Sequence, residues 1–235
     1  MTTCRIEPTA LVVIWLVIIS MLMAEGTVAQ SEGNPAGTAE PALEAEFKQL
    51  RERLTVLPEF GGDDAASKFR LAEELSRRGD MFGAAEAYRS AIELNPEWAD
   101  PYRGLGQVLL DHHDYAQAVE ALEAAIRLGG DDHQTLYWLG RALMGKNDLP
   151  AAESALRRAV QLRADDAEGW ADLGLVRMAQ GKLTEAEQAL EQSIRIKPDL
   201  AEAHRLRELL VDRRQDRAAA KKAAESVLRE LFARE

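Results

Sequence analysis

The 235-residue sequence contains one cysteine, Cys4, so it can build no intrachain disulfide, no CxxC redox pair and no cysteine metal cluster. Aromatic residues make up 6% of the chain, within a total hydrophobic content of 46%. A core poor in rings and rich in alanine and leucine suits closely approaching helices better than a sheet sandwich, and an all-α fold is expected. Positive charge is also short. The formal net charge is -11, which has the wrong sign for holding a polyanion through Lys and Arg, so no nucleic-acid partner is expected. Residues 201–235 depart from this balance, with nine Lys or Arg against seven Asp or Glu. There Arg213, Arg214, Arg217, Lys221 and Lys222 alternate with Asp212, Asp216 and Glu225, as on the solvated face of a charged helix.

Catalytic patterns are missing too. His112, His113, His133 and His204 are the only histidines, and no His-x-x-x-His or His-Glu-x-x-His spacing exists. Gly-x-Ser-x-Gly, Gly-x-Gly-x-x-Gly and the P-loop pattern do not occur. The paired acids Asp131-Asp132 and Asp165-Asp166 read as helix caps rather than as a general acid and base. No enzyme activity, no cofactor and no metal is expected.

The one long apolar run is Leu11 to Ala24, which follows Arg5 and precedes the small residues Thr27 and Ala29. That layout is the one of a secretory signal peptide cut after Ala29, or of a retained membrane anchor within residues 10–24. As a helix the fourteen residues span about 21 Å, short of the roughly 30 Å of a hydrocarbon core. The rest of the chain is then exported, to a periplasmic or extracellular site, or stays anchored and faces outward. Residues 30–40 are small, polar and turn-forming and read as a flexible spacer. A helix is expected over 41–58, with Pro41 in its first turn, Leu43, Phe47, Leu50 and Leu54 on one stripe, and Pro58 with Gly61-Gly62 at its end.

A 34-residue period governs residues 65–200: Leu71, Leu105, Leu139 and Leu173 are related by it, as are Ala84, Ala118, Ala152 and Ala186. So are Ala91, Ala125, Ala159 and Ser193, and then Leu94, Leu128, Leu162 and Ile196. Units are placed at 65–98, 99–132, 133–166 and 167–200, with degenerate capping helices over 201–235. Gly106, Gly140 and Gly174 stand inside helices, where glycine costs about 1 kcal/mol relative to alanine, so they must admit a closely packed partner helix. The alanine column is expected to do the same from the other side. Gly79, His113, Asn147 and Gly181 fall where a helix ends in a left-handed residue. Asp100, Asp132 and Asp166 are expected to cap the next first helices.

The fourth unit, Trp170-x-x-Leu173-Gly174, then Ala186-x-x-x-Leu190, Ser193 and Pro198, resembles the tetratricopeptide repeat family. Arg177 replaces the family's tyrosine there, Ala72 replaces glycine in the first unit, and Gly130 and Ala164 replace the closing proline in the second and third. The resemblance implies a right-handed superhelical solenoid of antiparallel helix pairs whose first helices line a concave groove. It implies that a protein or peptide partner lies there, facing the second, fifth, ninth and twelfth residues of each unit. These positions include Phe69, Arg103, Gln107, Leu110, Tyr137, Arg141, Met144, Leu175 and Met178, a polar and aromatic stretch beside an apolar floor. The family's Lys-Asn-Asn-Lys-Arg clamp for a carboxyl terminus is not supplied by Phe69, Glu73, Gly104, Gln134 or Trp138. The expected function is a non-catalytic adaptor or scaffold in an exported assembly. The alternatives are a self-assembling structural protein whose terminal helices fill a neighbour's groove, and a membrane-anchored scaffold with a basic carboxyl-terminal helix.

Overall fold

The computed structural model describes residues 36–55, 61–212 and 216–232, and the expected signal peptide or anchor lies outside them. Among the described residues no helix is long and apolar enough to cross a membrane. They hold eleven helices: α1 (Ala36–Thr55), α2 (Ala65–Arg77), α3 (Met81–Leu94), α4 (Ala99–Asp111), α5 (Tyr115–Arg127), α6 (His133–Gly145), α7 (Leu149–Leu162), α8 (Ala167–Ala179), α9 (Leu183–Ile196), α10 (Ala201–Asp212) and α11 (Arg217–Phe232). Ala45–Glu235 forms one compact unit. The helix α1 begins at Ala36, inside the expected spacer, because the turn-formers Gly33, Asn34 and Pro35 all precede it and Ala36, Ala39 and Glu40 are compatible with a helix. Its Leu54 is buried and its Arg51 meets Asp80 at 2.7 Å.

Each 34-residue unit holds one antiparallel pair, α2 with α3, α4 with α5, α6 with α7 and α8 with α9, and each pair stacks on the next. The result is an all-α, right-handed superhelical solenoid, in which the first helices α2, α4, α6, α8 and α10 touch in a row and form the concave wall. What sets the distance within a pair is the glycine column. A Cβ on Gly106 would lie 2.5 Å from Leu122, one on Gly140 2.6 Å from Leu156, and one on Gly174 2.8 Å from Leu190. The facing alanines Ala84, Ala118, Ala152 and Ala186 are fully buried.

The turns arise from local chemistry. His113 (φ 59) and Asn147 (φ 61) take the left-handed conformation, as do Gly79 (φ 85) and Gly181 (φ 75). The aspartates next to three of them cap the second helices: Asp80 accepts from the Gly83 N–H at 2.9 Å, Asp114 from Gln117 at 3.3 Å and Asp148 from Ala151 at 3.3 Å. Asp132 caps α6 through the N–H groups of Gln134 and Thr135. Two expected caps are corrected. Asp100 lies inside the first turn of α4, behind Trp98, and its carboxylate accepts from Trp98 Nε1 at 2.9 Å and from Arg103 at 2.6 Å. Asp166 stands at the cap position of α8 but makes no side-chain cap bond, because His133 Nε2 lies 2.7 Å from its carboxylate.

Arg177, the residue in the family's tyrosine position, has its own partner. It reaches Glu153 on α7 at 3.2 Å, and Lys182 closes on the other carboxylate oxygen. Burial alone pushes the Glu153 carboxyl up, but hydrogen bonds from Lys182 and Arg177 hold it below the usual range. The pair therefore stabilises the fold above the ordinary glutamate range, and that contribution is lost as pH falls through the folded-state pKa.

Gly140→Ala is expected to lower stability by about 1–3 kcal/mol, the overpacking against Leu156 outweighing alanine's better helix propensity. Asn147→Gly, at a backbone glycine takes freely, should shift it by less than about 1 kcal/mol. Urea unfolding of both variants checks this, and a Gly140→Ala chain as stable as the wild type would show that the helices have room to spare.

Candidate functional site

The concave wall divides into an open stretch and a filled one. On the open stretch Phe69 packs its ring 4.7 Å from Trp98 and 5.8 Å from Tyr88, leaving it half-buried. Gln107 is partly exposed and Glu73 is exposed, and both line a cleft of about 680 Å³ with Tyr88 and Arg77. Arg103 ties the start of its own helix to the residue that caps α6: its guanidinium meets Asp100 at 2.6 Å and Asp132 at 2.9 Å. Burial pushes the Tyr88 phenol up to about 12, and Glu73 adds to that, so the hydroxyl remains a donor across the neutral range.

The filled stretch is the main surprise. The last helix, α11, does not pair with α10 as second helices pair with first ones. It lies chiefly against α8 and extends to α6, so it runs over the concave side of two first helices. Its inward stripe is Ala220, Ala224, Val227 and Leu228, all buried, with Leu231 and Phe232 packed on the same core. Lys221, Lys222, Arg229 and Glu230 are exposed, and Glu230 pairs with Arg205 of α10 at 2.9 Å. Burying Val227 and Leu228 is worth about 1.5–3 kcal/mol each relative to leaving them in water.

At its far end α11 makes its most specific contacts. The Phe232 ring meets the Tyr115 ring edge-on at 5.5 Å and lies 5.9 Å from the Arg141 guanidinium, while its carbonyl accepts from the Tyr115 hydroxyl at 3.3 Å. Tyr115 is also bonded to His113. Gly145 makes room for this seat, since a Cβ there would lie 2.5 Å from the Tyr115 ring.

The sequence-expected groove residues therefore separate. Phe69, Arg103, Gln107, Tyr137 and Arg141 are partly exposed along the wall, but the expected apolar floor is not free. Leu110 (7%), Met144 (2%), Leu175 (0%) and Met178 (0%), expected as the apolar floor of the groove, are buried in the core. For Leu175 and Met178 the physical reason is α8 itself, whose Ala171, Leu173, Val176 and Ala179 are buried with them; a helix apolar on more than one side has to be enclosed. The helices α7, α9, α10, α6 and α11 enclose it.

Beside the α8 floor lies a group of charges. Arg141 Nε stands 3.8 Å from Asp172, its guanidinium lies 6.0 Å from the Tyr137 ring, and Tyr137 stacks parallel to His133 at 6.3 Å. Burial pushes the Asp172 carboxyl up to about 7; Arg141 pulls it back and Glu202 pushes it further. Burial also raises the Tyr137 phenol. Arg141 Nε and Glu202 Oε1 are buried without a hydrogen bond. Among the described residues no group of three or more His, Cys, Asp or Glu is placed to hold a metal ion.

A family described as the Cilia and flagella-associated protein 70 C-terminal domain matches residues 23–234. No curated protein matches in sequence. Among solved structures, YrrB, "a TPR protein with an unusual peptide-binding site", is 24% identical with a TM-score of 0.61, over 78% of this chain and 91% of its own. A structure of MamA is 28% identical with a TM-score of 0.59, over 69% of this chain and 96% of its own. The APC/C hetero-tetramer Cut9-Hcn1 is 22% identical with a TM-score of 0.60, over 72% of this chain and 34% of that one.

A carboxyl that keeps its proton to about pH 7 when folded, against an ordinary value of 3.8, makes folding take up a proton between those limits, so stability falls as pH rises through that window. Asp172→Asn cannot ionise and escapes the loss. From pH 4 to pH 8 its stability relative to wild type is expected to rise, by on the order of 4 kcal/mol at most. Urea unfolding across that range gives the answer, and a constant difference between the two chains would place Asp172 in water.

Proposed function

Because the chain belongs to the family of the Cilia and flagella-associated protein 70 C-terminal domain, a tetratricopeptide repeat protein, we propose that it is a non-catalytic adaptor whose partner polypeptide lies in the concave groove along α2, α4 and α6. The observation that carries this reading is the division of the groove: Glu73, Gln107 and Tyr88 line an open cleft, while α11 occupies the wall over α8. Arginine and tyrosine side chains dominate binding energy at interfaces, and Arg103 is already held in place by Asp100 and Asp132, so little side-chain freedom is lost when a ligand arrives. The peptide-binding site in YrrB's description supports the same use of the fold. We place the adaptor in an exported assembly, on the strength of the apolar run from Leu11 to Ala24 after Arg5.

The test is crosslinked affinity purification from the native envelope fraction with wild type and with an Arg103→Ala, Gln107→Lys chain. Both positions are partly exposed and distant in sequence from α11, so the substitutions leave the core intact. A protein recovered with wild type and reduced at least tenfold with the variant is the expected result. Identical recovery with both chains would remove the open groove as the site.

A further inference from the structure

The helix α11 occupies its groove on terms unlike those of any other helix pair. Within each repeat the two helices lie side by side along their length, whereas α11 leaves α10, from which residues 213–216 separate it, and crosses to α8 and α6. Its buried stripe is small, with alanines at 220 and 224. Two buried polar atoms beside α8, Arg141 Nε and Glu202 Oε1, receive nothing from it. It is an amphipathic helix laid in a groove, with an aromatic anchor at one end, the geometry by which one chain takes up a helix of another.

We propose that the wall over α6 and α8 is a binding site for an amphipathic helix, filled in cis by α11, and that the partner presents a helix of the same chemistry which displaces it. That helix carries alanine and branched aliphatic residues at three- and four-residue spacing and ends in an aromatic ring seated between Tyr115 and Arg141. A polar side chain on it that meets Arg141 Nε or Glu202 Oε1 gains a bond that α11 leaves unmade. The occupant is a partner's helix rather than α11 of a second copy, because α11 already closes the groove of its own chain across a four-residue connection. Tethering gives α11 a high effective concentration, so a free helix meets a groove that is open only a fraction of the time, and its apparent affinity falls by that fraction. The helix site deepens the proposed role of the concave wall as a partner-binding groove and rests on it.

The experiment titrates a fluorescent peptide with the sequence of residues 216–235 into the full chain, wild type or Ala224→Asp, Val227→Asp. Both substitutions put charge into the buried stripe of α11 and leave α6 and α8 unchanged. The substituted chain, shown helical by circular dichroism, is expected to bind the peptide at least tenfold more tightly than wild type. A peptide carrying Leu228→Asp and Phe232→Ala should bind neither. Equal binding by both chains, or none, would overturn the proposal. Hydrogen exchange on the wild-type chain gives a second reading that needs no variant. The α11 amides should exchange at least tenfold faster than those of α8, and faster still with excess peptide, while α8 stays protected; exchange of α11 in step with α8 would mean that it opens only with the whole fold and would equally overturn the proposal. A doubled mass with α11 still protected would assign the groove to a second copy and overturn the cis arrangement. Peptide binding together with partner recovery indifferent to Arg103 and Gln107 would keep the helix site and remove only the open-groove reading.

Discussion

The approach of each first helix to its second, at glycine against leucine, is the contact on which the rest of the molecule depends. At Gly106, Gly140 and Gly174 the facing leucine occupies the space a methyl group would need. Close approach fixes the angle at which the pairs stack, stacking aligns the first helices into a wall, and the wall is what a ligand meets. The first unit keeps the arrangement with a different side chain: Ala72 is fully buried, and Tyr88 supplies the bulk that leucine supplies elsewhere. Tyr88 then projects far enough that a Cβ on Gly104 would lie 2.3 Å from its ring, so the groove and the core share one residue.

Much of this was legible in the sequence. The period, the glycine column and the left-handed turn residues each carry a local physical signature, and His113 could be read as a turn residue before its backbone was seen. The capping aspartates at 80, 114 and 148 were not among the expected caps, although each sits directly after a left-handed residue and before the first turn of a helix, a local signal that could have found them. Arg177 was visible only as a departure, because its compensation by Glu153 lies 24 residues away on another helix.

The place of α11 was not legible, for a physical reason. A stripe of Leu175 and Met178 on a groove-facing side reads equally well as the floor of an empty site or as a surface already covered. The sign that separates the two is on the other faces of the same helix: Leu173, Val176 and Ala179 are buried as well, so α8 is apolar on more than its groove-facing side. Amphipathicity of α11 alone does not choose between α10 and α8 as its neighbour. Burial of the α8 floor and the seat for Phe232 decide it.

A solenoid whose units touch only their neighbours can fold in the order in which it emerges from the ribosome, each pair settling on the one before. The contact between Tyr115 and Phe232 joins positions 117 residues apart and breaks that order. The units from α4 to α9 can be complete before α11 docks, and until it does the apolar floor of α8 faces its surroundings. The last helix to be made is thus the one that finishes a surface begun more than a hundred residues earlier.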